Sequence, residues 1–135
     1  MLKKKRGLLL SMRNMEITDA NIILRYLLKD DEDFFLKARF IIENNKLFLP
    51  VEVCAEVVYV LEKVYKVPRK NIQESLNIFI NYPNITCNDN SLFTESLKVF
   101  ETENIDFVDA VLVAYNHILK AKIHSFDKRL MKLCH

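Results

Sequence analysis

The chain has little of what loops and linkers are built from. Its 135 residues include one glycine and three prolines. This scarcity argues against a linker, a low-complexity segment or an intrinsically disordered chain. Half of the residues are hydrophobic, so a chain of this length can bury a core as one globular domain. No apolar run approaches the roughly 20 residues that a helix needs to cross a bilayer, and no membrane segment is predicted.

Cysteine and histidine are also scarce, and their spacing suits neither a disulfide framework nor a zinc site. The three cysteines lie far apart without a Cys-x-x-Cys spacing, and the three histidines share no metal-ligand spacing. This pattern favours a reducing, cytoplasmic location. The histidines are expected to have surface or packing roles. The residues concerned are Cys54, Cys87, Cys134, His117, His124 and His135.

Charge is unevenly distributed along the chain. Five of the 20 basic residues lie within the first fourteen residues, which contain no acidic residue. Residues 15–135 therefore carry 15 basic and 18 acidic side chains, which gives them a net charge of −3. The body of the protein therefore lacks the basic excess of a tight nucleic-acid binder. We predict that residues 1–14 are a disordered basic extension upstream of a natural start at Met15. The alternative is a basic arm that contacts RNA.

Short apolar stretches alternate with helical patterns through residues 15–135. The segments between the apolar stretches carry apolar residues at helical spacing. This alternation predicts a three-layer α/β/α fold with a central, mainly parallel sheet of four to five short strands and helices on both faces. The strand candidates are 16–18, 47–49, 85–87 and 122–126.

Acidic side chains recur where the predicted strands end and the helices begin. Asp19 follows the first strand candidate and Asp127 the last, while Glu56 lies within an apolar helix. Asp109 opens a helix that is apolar on every side, a pattern that predicts a buried helix. In an open parallel sheet, functional groups gather beyond the carboxyl ends of the strands, so all four acids can reach one rim. Carboxylates that converge without basic partners favour a divalent cation.

Each acid also has a purely structural interpretation. Asp109 suits the positive end of the helix dipole, or can act as the partner of Asp106 in a capping box. Glu56 can pair with Lys63, two turns further along its helix. Aspartate is a favoured helix N-cap, and the residue pattern by itself leaves this alternative open. The N-cap candidates are Asp19, Asp106 and Asp127.

Four short motifs carry these acids in a fixed order. They are Thr18-Asp19-Ala20-Asn21, Ala55-Glu56-Val57, Asp106-Phe107-Val108-Asp109-Ala110 and Ser125-Phe126-Asp127. Together they resemble the PIN-domain ribonucleases, and among these the VapC-type toxins of toxin–antitoxin pairs. The resemblance extends from residue 15 to about residue 133, so that residues 15–135 are expected to form one PIN domain.

The resemblance implies an endoribonuclease that uses Mg²⁺ or Mn²⁺ to hydrolyse RNA phosphodiester bonds, leaving a 5′-phosphate. It also implies a cognate antitoxin protein and a homodimer. Under this resemblance Asn21, Asp106 and Ser125 are accessory residues. The implied metal-binding and catalytic residues are Asp19, Glu56, Asp109 and Asp127.

Two other functional classes compete with this interpretation. A non-catalytic, PIN-like protein-binding module would lack one of the acids, and none is missing here. A phosphatase would use Asp19 as a nucleophile that forms an aspartyl-phosphate. The haloacid-dehalogenase type of phosphatase normally has a second aspartate where this chain has Asn21, which disfavours that class.

Overall fold

The computed structural model describes residues 16–135, so the predicted extension over residues 1–14 lies outside the described part of the chain. Most of the described residues are helical. None of the helices among them is both long and apolar enough to span a membrane. The strands are β1, Leu47–Phe48, and β2, Ile85–Thr86. The helices are α1, Ala20–Leu28; α2, Glu32–Asn44; α3, Val51–Lys63; α4, Arg69–Ile80; α5, Asn90–Thr102; α6, Phe107–Leu119; and α7, Lys128–Leu133.

The chain divides into two compact units. Of the described residues, the first unit contains 16–57 and 81–88, and the second contains 58–80 and 89–135. Both strands belong to the first unit, together with α1 and α2. Helices α4 to α7 belong to the second.

The first unit contains a short parallel sheet. Leu47 pairs with Ile85 and Phe48 with Thr86, in parallel register. Glu16 adds an isolated parallel bridge to Leu47, as the first predicted strand would require. Because parallel neighbours need a crossover connection, the helices between these segments follow from the pairing. The α/β class is therefore confirmed, with far more helix than sheet.

The predicted fourth strand is wrong. Residues 122–126 form no strand, and the sheet described within residues 16–135 has two strands. Ile123 is partly buried, whereas Phe126 is fully exposed, at 106%. The alternation of inward and outward side chains that a half-buried strand shows does not extend to the end of this segment. The central sheet of four to five strands is accordingly not found in the described residues.

The second unit has a helical core. Helix α5 packs against α4 and α6, and α7 packs against α6. Helix α6 buries Ala110, Val113 and Ala114 completely but leaves Val108 60% exposed. The prediction that α6 is buried on every side is therefore wrong, because its neighbours cover only part of its circumference. This packing places the N-terminus of α6 and the start of α7 in the same unit.

Candidate active site

Three of the predicted acids line one cavity in the second unit. Asp106 and Asp109 come from the N-terminus of α6, and Asp127 directly precedes α7. The cavity has a volume of about 270 Å³. Its lining combines these acids with three basic side chains. The lining residues are Lys63, Arg69, Asn104, Ile105, Asp106, Asp109, Asp127 and Arg129.

Asp109 has the electrostatics of a crowded carboxylate. Burial raises the pKa of Asp109, and the neighbouring charges of Asp106 and Asp127 raise it further. Its place in the first turn of α6 would by itself favour the negative charge, because the helix dipole is positive there. Burial and like charge prevail over the dipole. A cation placed among these carboxylates would relieve the repulsion.

Asp106 occupies the N-cap position of α6 without capping it. Its backbone is extended, and its side chain makes no capping hydrogen bond. The structural interpretation of the Asp106 side chain as an N-cap is therefore wrong. Its carboxylate lines the cavity, where its charge acts on Asp109.

Asp127 both caps a helix and lines the cavity. Its Oδ1 atom accepts hydrogen bonds from the backbone N–H groups of Arg129, at 2.9 Å, and Leu130, at 3.2 Å. Its own backbone N–H donates to the hydroxyl of Ser125 at 3.0 Å. These bonds use one carboxylate oxygen and fix the orientation of the group. The capping and the functional interpretations of Asp127 are therefore compatible.

Asp19, Asn21 and Glu56 belong to the first unit. Asp19 is the N-cap of α1, and its carboxylate accepts a hydrogen bond from the backbone N–H of Ile22 at 3.2 Å. Asn21 is exposed in the first turn of α1, and Glu56 is exposed on α3. Their membership of one metal site with Asp109 stays a prediction. Lys63, the suggested partner of Glu56, forms its ion pair with Glu62, at 3.5 Å.

The oxygen donors of the cavity suit a hard divalent cation such as Mg²⁺ or Mn²⁺. In residues 16–135, no three Asp, Glu, His or Cys side chains are grouped so as to hold a metal ion by themselves. Mg²⁺ characteristically keeps several water ligands and binds only one or two carboxylates. Asp109 with one neighbouring carboxylate would therefore be a sufficient protein contribution within this unit.

Sequence reasoning did not identify Arg69 as a site residue. Arg69 lies at the start of α4, outside every acidic motif, yet its side chain lines the cavity together with Asp106 and Asp109. Arg129 also lines the cavity, and its Nη2 atom donates to the carbonyl of Asn104 at 2.7 Å. No local pattern in the sequence marks Arg69 as a site residue, because the carbonyl groups of Phe100 and Ile105 that it binds lie more than thirty residues away.

The fold and the cavity together define an α/β protein with a carboxylate site bordered by arginine and lysine. The family model of the PIN domain matches residues 17–135, and the chain belongs to the PIN-domain family. Over 124 residues the chain is 27% identical to a VapC ribonuclease of Aquifex aeolicus (strain VF5). That alignment covers 88% of this chain and 92% of the Aquifex protein. No solved structure matches the chain significantly.

Proposed function

We propose that this protein is an endoribonuclease that depends on Mg²⁺ or Mn²⁺ and hydrolyses RNA phosphodiester bonds. The observation that carries the proposal is the crowding of Asp109 by Asp106 and Asp127 in a cavity that also presents basic side chains. Membership of the PIN-domain family and the similarity to a protein named as a ribonuclease support the same conclusion.

Each predicted site residue has a role in the proposed reaction. The bound ion would supply a Lewis acid that activates water and offsets charge on the phosphate. Ser125 orients Asp127 through the hydroxyl that accepts its backbone N–H. Asn21 and Asp106 support the site without being primary ligands. The proposed metal-binding carboxylates are Asp19, Glu56, Asp109 and Asp127.

Basic and aromatic side chains beside the acids suit a nucleic acid. Lys63 and Arg129 line the cavity and can approach phosphate oxygens. Phe126, directly before Asp127, is 106% exposed and offers a flat face on which an unpaired base can stack. Because residues 15–135 carry a net charge of −3, binding would depend on this local cluster and on the metal.

We further propose that the protein is the toxin of a toxin–antitoxin pair, acts in the cytoplasm, and forms a homodimer. An exposed apolar stripe on α6 supports a protein contact: Val108, Leu112, Tyr115 and Leu119 recur at a spacing of four, three and four residues. Their exposed fractions are 60%, 37%, 37% and 54%. A continuous apolar stripe, unlike scattered apolar residues, is typical of an interaction surface.

The test is cleavage of a mixed-sequence RNA by the wild type and by Asp19→Asn, in Mg²⁺, Mn²⁺ or EDTA, with a small phosphomonoester as a second substrate. We expect RNA cleavage that requires metal and is lost in the variant. Hydrolysis of the phosphomonoester alone would instead indicate the phosphatase. Absence of both activities and of metal binding would leave a non-catalytic binding module.

A further inference from the structure

One arginine joins the end of α5 to the loop that leads into α6. We propose that Arg69 is a positioning residue, which fixes residues 103–105 and thereby sets the places of the Asp106 and Asp109 carboxylates. This inference rests on the proposed function, because it identifies what holds the acids of that same site in position.

The Arg69 guanidinium meets several carbonyl oxygens at once. Its Nη1 atom lies 2.8 Å from the carbonyl oxygen of Phe100, 3.2 Å from that of Glu103 and 2.6 Å from that of Ile105. Phe100 is in the last turn of α5, where carbonyls have no partner within the helix. Ile105 directly precedes Asp106. Arg69 therefore connects the end of one helix to the start of the next.

Arg69 is itself held firmly. Its Nε atom lies 2.6 Å from Oε2 of Glu62, and its guanidinium lies over the ring of Phe100, 4.0 Å from the centroid. The side chains of Arg69 and Glu62 are only 20% and 19% exposed. Hydrogen bonds between charged partners are shorter and stronger than neutral ones, and a partly buried pair is less screened by salt. The guanidinium can therefore act as a fixed point for the loop.

A second arginine binds the same loop. Nη2 of Arg129 donates to the carbonyl of Asn104 at 2.7 Å, so the carbonyls of three consecutive residues, 103 to 105, each accept from an arginine. The backbone N–H of Arg129 donates to Asp127 at 2.9 Å. The loop before Asp106 is thus tied to the segment that carries Asp127. Since the carboxylates repel one another, such ties oppose their separation.

Arginine is specifically suited to this task. Its planar guanidinium presents five N–H donors in a fixed fork and stacks on aromatic rings, whereas lysine is a point charge on a flexible stem. Arg69→Lys keeps the positive charge and loses the fork, while Arg69→Met loses both. If Arg69 acts by positioning, the two variants should be impaired alike. If only its charge matters, lysine should restore activity.

The first experiment compares kcat and KM for RNA cleavage at saturating Mg²⁺, with circular dichroism to confirm that each variant is folded. We expect both variants to lose about 10- to 100-fold in kcat with little change in KM, because small displacements of catalytic groups reduce the rate without weakening substrate binding. The matched control is Arg39→Lys, which alters an exposed arginine paired with Glu43 at 3.1 Å on α2. Unchanged kcat in folded Arg69→Lys would overturn the inference and leave the proposed function standing.

The second experiment does not depend on ribonuclease activity. The backbone N–H groups of Glu103 and Ile105 are hydrogen-bonded, to Val99 and Glu103 respectively, at 2.8 Å each. In Arg69→Lys these two amides should exchange with deuterium at least about tenfold faster, while amides in the middle of α5 keep their protection. That result supports the inference even if the wild type cuts no RNA. Unchanged exchange would overturn it.

Glu62→Gln provides a further variant should Arg69→Met fail to fold. It retains Arg69 and weakens only the anchor that Glu62 supplies. The expected result is a smaller loss of kcat, accompanied by faster exchange at Glu103 and Ile105. Wild-type values for both measurements would overturn the role assigned to the Arg69–Glu62 pair.

Discussion

Asp109→Asn keeps the size of the side chain and removes one negative charge from the cavity. In the folded protein, burial and the charges of Asp106 and Asp127 raise the pKa of Asp109. An acid with a raised folded pKa binds its proton more tightly in the folded state, so stability falls as the pH rises through its unfolded pKa to its folded pKa. At neutral pH the charge is therefore destabilising, and the variant should be more stable than the metal-free wild type.

The size of this gain follows from the neighbours of Asp109. Asp106 lies one turn before Asp109, and like charges at that spacing on a helix repel by about 0.2–0.5 kcal/mol. Asp127, from the segment before α7, adds a second repulsion, which we take to be of similar size. Asp109→Asn also loses the favourable interaction of the charge with the dipole of α6, which reduces the gain in stability by about 0.3 kcal/mol or more. A net gain of about 0.5 kcal/mol would raise Tm by roughly 1–3 °C in a domain of this size.

The assay is thermal unfolding in EDTA at pH 7 and again near pH 3, where the difference should vanish as carboxyl groups take up protons. The same variant should also lose RNA cleavage, because Asp109 is proposed to hold the catalytic ion. A loss of several kcal/mol of transition-state stabilisation would lower the cleavage rate at least about 100-fold. The control is Asp33→Asn, which removes an exposed first-turn aspartate of α2. A fall in Tm specific to Asp109→Asn would refute the reasoning, because it would show that the charge stabilises α6.

Three further predictions concern metal, pH and the N-terminus. At ten times its Kd, Mg²⁺ should add about 1.4 kcal/mol to the free energy of unfolding of the wild type. Asp109→Asn should abolish this stabilisation. An unchanged Tm of the wild type at millimolar Mg²⁺ would contradict a metal site shared by the carboxylates. Burial lowers the pKa of His117, but hydrogen bonds to the Leu133 carbonyl at 2.6 Å and to Glu95 at 2.7 Å outweigh burial and raise it overall. The stability that protonated His117 contributes is thus complete below its unfolded pKa of about 6.5 and is lost as the pH rises through the folded pKa. The Tm difference between the wild type and His117→Gln should therefore shrink above pH 6.5. A Tm difference that stays constant with pH would contradict this prediction. Deleting residues 1–14 should leave cleavage unchanged at moderate salt, whereas a large loss would make that segment an RNA contact.

Local features of the fold could be predicted from the sequence because they depend on neighbouring residues. Asp31 begins α2 as its N-cap, with its carboxylate accepting from the backbone N–H of Phe34 at 3.0 Å. Asp19 and Asp127 likewise cap the helices that their positions predicted. The order of the four acidic motifs indicated the PIN-domain family, which the match over residues 17–135 confirms.

Predictions that depended on distant partners were less successful. A strand exists only where another strand supplies hydrogen bonds. Residues 122–126 contain Ile123 and Phe126, residue types that favour strands, but no strand among residues 16–135 pairs with them. Asp106 has the position of an N-cap, yet its carboxylate is not used as one. In both cases a local pattern was compatible with two structures, and packing decided between them.

The sequence by itself determined the helix starts at Asp19 and Asp127, the α/β class and the PIN-domain family, because each is encoded in residue types within short motifs. The tertiary structure alone decided that Arg69 lines the same cavity as Asp106, Asp109 and Asp127. Arg69 reaches the carbonyl of Ile105 across 36 residues of chain. Such a contact forms only when packed helices bring the two segments together, so no short-range pattern can encode it.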